Sequence, residues 1–210
     1  EGSDIRRMRP ALLALLLAVL VAPAAGQSIT RKNLFTSLGL GAGLLTISQA
    51  GDSVSALAAS SGAVTLRVSY AFTRRFSLGF HYDRIGSDRV GRAVDHLRFN
   101  SYAVSAAFRF WIRERHFAEA HLALGSATLS LDLYALPLPV VGSSGCTTLG
   151  ARYVRLLSNT LCVFASVELT AGRTMYLQQY DGAPFNTAEG VAGSLDWGGQ
   201  RVVGGLAVRF

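Results

Sequence analysis

The side chains in this sequence that could do chemistry recur at two-residue steps. His81 and Asp83 are spaced this way, as are Glu119 and His121. A histidine beside a carboxylate can act as an oriented general base, and Ser77 falls on the same phase as His81. Arg67, Arg109, Arg152, Arg173, Arg201 and Arg209 share the inward phase of their segments with Asp83, Glu119, His121 and Glu168. Charges removed from water must be paired and hydrogen-bonded. The expected product is therefore a network of charge-assisted hydrogen bonds. The four histidines and two cysteines show no metal-ligand spacing, so neither a metal nor a cofactor is expected.

The elements that carry these residues alternate with period two. Val64, Leu66, Val68, Tyr70 and Phe72 alternate with Thr65, Arg67 and Ser69. Further strands are predicted near 34–47, 76–83, 101–110, 148–157, 161–172 and 201–210. One more, near 116–133, shifts its apolar phase at Gly125, which predicts a bulge there. Short connections at Thr73–Arg75, Arg113–Arg115 and Ser158–Thr160 alternate with long ones at Gln49–Ser61, Gly86–Asp95, Tyr134–Thr147 and Asp181–Asp196.

The apolar face points outward on this reading. The other face is Gly, Ala and Ser with a few ionised groups, too small and neutral for a water-facing exterior. It suits the narrow interior of an eight-stranded barrel. Aromatic residues gather at both strand ends, with Phe72, Phe76, Phe110, Trp111, Phe117 and Phe210 by the short turns. Tyr82, Tyr134, Tyr176, Tyr180 and Trp197 gather by the long loops. Two such belts match two membrane interfaces.

Residues 1–26 read as a signal peptide. Arg6, Arg7 and Arg9 precede an apolar run from Pro10 to Ala25, and small residues follow. The run has roughly 16 residues, against about 20 for a spanning helix. Met8 is the expected start, with residues 1–7 an upstream extension. Residues 27–210 form the second unit, a barrel domain. The formal charge of +7 makes the chain basic. Its arginines are scattered over turns and strands, which argues against nucleic acid and leaves anionic lipid as a partner. Cys146 is placed in a long loop and Cys162 at the opposite end of the barrel. The distance between those levels is too great for a disulfide.

Leu206, Val208 and Phe210 end the last alternating strand on an aromatic residue. With the loop alternation, that strand resembles the small eight-stranded bacterial outer-membrane barrels of the outer-membrane protein A and X type. The resemblance implies an all-β fold, a transmembrane eight-stranded antiparallel up-and-down β-barrel. It implies an outer-membrane location with both mature termini periplasmic, and a terminal strand read by the barrel-assembly machinery. It implies contact with outer-membrane lipid and lipopolysaccharide.

The expected role is a monomeric scaffold with a plugged lumen. Its long loops would meet an extracellular partner, the apolar run Leu136–Val141 among them. A narrow gated pore is the second reading, and a lipid A-modifying enzyme the third. The enzyme reading is weak, because no His-x-Ser motif of the lipid A deacylase type is present.

Overall fold

The computed structural model describes residues 33–49, 57–90, 94–133, 138–179, 181–185 and 193–210. The expected signal peptide lies outside the described residues. The strands are β1 (Leu34–Gln49), β2 (Leu57–Ala71), β3 (Phe76–Val90), β4 (Val94–Ile112), β5 (His116–Leu133), β6 (Val140–Leu156), β7 (Leu161–Gly172), β8 (Met175–Gln178) and β9 (Ser194–Arg209). Consecutive strands from β1 to β7 pair antiparallel. Strands β7 and β8 are two parts of one stave, parted at Arg173 and Thr174, and both pair with β6 and β9. Strand β9 also pairs with β1, through Phe35↔Arg209 and Leu38↔Leu206 among others. The result is a closed antiparallel barrel of eight staves. Closure leaves no ladder edge, so the backbone groups of the spanning strands are satisfied within the sheet, as hydrocarbon demands.

Two of the short turns use the same local device. The Thr73 hydroxyl accepts hydrogen bonds from the backbone N–H groups of Arg75 and Phe76. The Ser158 hydroxyl does the same for Thr160 and Leu161. A hydroxyl that captures the amides two and three residues on stabilises a tight reversal.

The outer surface is an apolar band. Leu40 is 67% exposed and Phe80 69%, with Leu38, Tyr102, Val104, Leu124, Leu149, Val167, Val202 and Leu206 beside them. An exposed face of this composition is stable in lipid and not in water.

Strand β6 begins at Val140 rather than near 148, and β3 and β4 run to Val90 and from Val94. Much of the expected loops Gly86–Asp95 and Tyr134–Thr147 is therefore paired strand. The ladder outlasts the apolar alternation by which the strands were recognised. Val140 is buried, so the apolar run Leu136–Val141 is not exposed throughout; Leu138 is exposed. There is no bulge at Gly125, because the register runs unbroken through Ala103↔Gly125 and Gly125↔Cys146. The apolar phase changes there because the inward residues themselves turn apolar, from Glu119 and His121 to Leu129 and Leu131. The irregularities of this ladder lie in β4 instead, between Val94 and His96 and between Arg109 and Trp111. Phe117 and Trp197 do not join the aromatic belts, since both point inward and are buried. Cys146 is not in a loop but inside β6, paired with Gly125 and Gly172. Both cysteines are free and buried.

Candidate functional site

The inward-facing side chains form three levels along the barrel. Toward the long connections lies an apolar layer of Leu45, Ile47, Ile85, Leu97, Phe99, Leu129, Leu131, Met175 and Trp197. Phe99 and Trp197 have ring centroids 4.7 Å apart and anchor this layer. Gly172 lets the indole approach, because a Cβ there would collide with the Trp197 ring. Toward the short turns lies a second layer of Phe35, Phe117, Val154, Cys162, Phe164, Val203 and Ala207. The ionised residues fall between and beside these layers.

The middle cluster centres on Arg201 of β9. Its Nη2 lies 2.5 Å from Asp83 Oδ2 and 2.5 Å from Glu168 Oε2, and its Nε donates to Glu168 Oε2 at 2.7 Å. Ser101 donates to Asp83 at 3.2 Å and Ser166 to Glu168 at 3.3 Å. His81 Nε2 stands 3.0 Å from Asp83 Oδ1, and His121 Nε2 stands 3.5 Å from Glu168 Oε1. Both contacts are within ion-pair range but lack hydrogen-bond alignment. Gly150 makes room for the imidazole, since a Cβ there would stand 2.6 Å from His121 Nε2.

The lower cluster gathers three arginines on one carboxylate. Glu119 lies 3.3 Å from Arg67 Nη1, 3.5 Å from Arg109 Nε and 4.0 Å from Arg152 Nη1. The Arg152 guanidinium sits 3.8 Å above the Phe164 ring, and Arg109 lies 4.5 Å from the Phe117 ring and 5.0 Å from that of Phe35. These cation–π contacts partly replace the lost hydration of the guanidiniums. Arg209 is half-buried over Phe35.

The structure thus brings Arg67, Arg109, Arg152 and Glu119 into one cluster. It brings Asp83, His121, Glu168 and Arg201 into another, with His81 beside them. Arg173 does not reach either; it is exposed where β7 gives way to β8, and its N–H donates to Gly145. Leu206 and Phe210 are exposed on the apolar side of the last strand, and Val208 is partly so.

Ligand atoms of His81, His121 and Glu168 all lie within 4.8 Å of one another, and this donor set suits a divalent transition metal. The sequence gives no such signal, because the three come from β3, β5 and β7. Two features weigh against a cation here. Arg201 already engages Glu168 and Asp83. The four arginines of the two clusters also face three acids, so the lumen is cationic before any metal arrives. His81 and Asp83 lie at ion-pair distance, but Asp83 Oδ1 accepts no aligned hydrogen bond and both residues are buried beneath the apolar layer, so the pair lacks the geometry of a general base and its orienter. Phe99 carries no expectation from the sequence, and Trp197, expected in the belt by the long loops, is buried in the lumen instead. The available signal was that both phases of their strands are apolar in part.

No protein-family model matches the sequence, and neither does any curated protein sequence. Solved structures do match the fold. Neisserial surface protein A superposes with a TM-score of 0.58 at 12% identity, over 83% of this chain and 97% of that one. The outer-membrane protein OprG of Pseudomonas aeruginosa gives 0.54 at 10% identity, over 86% and 97%. Ail, the attachment invasion locus protein of Yersinia pestis, gives 0.50 at 14% identity, over 86% and 100%. The chain has the fold of the small eight-stranded outer-membrane barrels.

Proposed function

We propose that this protein is an integral outer-membrane scaffold with a closed lumen, whose activity resides in the connections it holds above the membrane. The observation that carries this reading is the layered interior. An apolar layer around Phe99 and Trp197 lies above two ion-pair clusters, and a second apolar layer lies toward the opposite end. Layers filled in this way favour a closed lumen, and an eight-stranded barrel is narrow to begin with. With the interior spent on stability, the loops on the rigid barrel remain for recognition. The Yersinia pestis neighbour is named for attachment, a role of this kind.

In this reading both mature termini and the three short turns are periplasmic, and the long connections face outward. Lipid and lipopolysaccharide surround the apolar band. The strand bearing Leu206, Val208 and Phe210 is what the barrel-assembly machinery engages. The protein acts as a monomer, without nucleic acid and without enzymatic turnover.

The test uses a background with Cys146 and Cys162 replaced by Ser and Ala, into which single cysteines are placed. A cysteine at Asp181 is expected to react with an impermeant maleimide on intact cells, and one at Asn159 only after the outer membrane is opened. Labelling of the Asn159 position on intact cells would invert the orientation and end the loop-display reading.

A narrow gated pore is the second reading. The observation favouring it is that three arginines share Glu119, so the pairing has alternatives into which it could rearrange.

A further inference from the structure

We propose that the lower lumen binds a small inorganic oxyanion, of the phosphate or sulfate class, between Arg67 and Arg152. Both arginines approach the same oxygen of Glu119 through Nη1, at 3.3 Å and 4.0 Å. Both leave Nε and Nη2 without any hydrogen-bond partner among the described residues. Nε and Nη2 are the two donors of one guanidinium edge, the edge that grips an oxyanion through parallel N–H groups. Each side chain therefore uses one corner on the carboxylate and keeps a complete bidentate edge unspent. Both groups are shielded from bulk solvent. Arg67 is 5% exposed and Arg152 is 7% exposed.

Charge points the same way. Arg67, Arg109 and Arg152 surround a single acid, so this cluster carries a surplus of two positive charges. Buried ionised groups are stable when paired and hydrogen-bonded, and costly otherwise. The neighbouring acids Asp83 and Glu168 share the single charge of Arg201, so they offset only one of these two charges. An anion at these unpartnered edges would satisfy donors and charge together. The Phe164 ring beside Arg152 lowers the local dielectric and strengthens such a contact.

The experiment refolds the full chain into a phosphate-free non-ionic detergent. The medium contains sulfate, inorganic phosphate, chloride or a bulky organic anion, at matched ionic strength. Supplying the anion during folding removes any need for it to enter a closed barrel, and the absence of lipid removes headgroup phosphate as a source. The expected result is a saturable rise of several degrees in the thermal unfolding midpoint with sulfate or phosphate. Chloride and the organic anion should give little or none. Arg67→Lys and Arg152→Lys keep the charge but lose the bidentate edge, and each should cut the affinity at least tenfold. Glu119→Gln removes the competing acceptor and should tighten binding. Equal stabilisation by chloride would overturn the proposal, as would an undiminished sulfate response in both lysine variants. If a lysine variant does not fold, crystals of the wild-type protein refolded in selenate decide the matter. An anomalous peak between the two guanidiniums supports the site, and its absence rejects it.

Discussion

Arg201 on β9 and Asp83 on β3 meet across the lumen, Nη2 to Oδ2 at 2.5 Å, from positions 118 residues apart in the chain. Neither strand pairs with the other, so this contact spans the interior rather than the sheet. Glu168 on β7 completes it, and one guanidinium thereby ties three staves together.

Removing that guanidinium strands two buried carboxylates. Arg201→Met should destabilise the folded barrel by about 3–5 kcal/mol, the usual cost of breaking one side of a buried pair. Arg201→Met combined with Asp83→Asn and Glu168→Gln should recover most of the loss. Urea unfolding in lipid vesicles, followed by tryptophan fluorescence, measures both. Equal losses in the single and triple variants would show that the pairing carries no net interaction.

The orientation of the apolar face can be tested by depth. Leu40→Arg places a charge on the lipid face within the apolar band and should cost about 2–4 kcal/mol. Leu157→Arg, at a short turn, should cost about 1 kcal/mol or less. The same unfolding assay reads the difference. Identical costs would mean that this face does not lie in hydrocarbon.

The upper apolar layer rests on a close contact between Gly172 and the Trp197 ring. Gly172→Ala should force the indole out of place and destabilise by about 1–3 kcal/mol, as overpacking does. Combining it with Trp197→Leu should restore part of the loss. A shifted Trp197 emission in the single variant is the direct check.

Cys146 pairs with Gly172 and Cys162 with Leu156, at opposite ends of the β6–β7 ladder. Ten residues of β6 separate these levels, about 33 Å at 3.3 Å per residue, and a disulfide requires Cα atoms within about 7 Å. Both thiols should stay unreactive toward maleimide in the folded protein and react upon unfolding. Intact-mass measurement under non-reducing conditions should show no internal bridge.

Strand number, pairing order and lipid-facing side were legible in the sequence, because polar lumen residues alternate with apolar ones through most of the span. Val202 and Leu206 on the outside against Arg201 inside make that case on β9. The upper layer was not legible for the converse reason. Leu129, Leu131, Phe99 and Trp197 are apolar but point inward, so the phase rule misassigned the belts and suggested a bulge at Gly125. The ionised residues could be placed on the inward phase, but not matched with one another. Which arginine meets which acid depends on the stagger of strands distant in sequence, as Arg201, Asp83 and Glu168 illustrate. The loop limits failed where the ladder continues beyond the apolar alternation, from Gly86 to Val90 and from Val140 onward.

Closure of the lumen is the central claim, and ion conductance in a planar bilayer tests it most directly. The wild-type barrel should insert without discrete current steps. A variant with Phe99, Trp197, Phe117 and Phe164 replaced by Ala, if it folds, should leak. Regular, reproducible conductance steps from the wild-type protein would contradict the account and establish the pore reading instead.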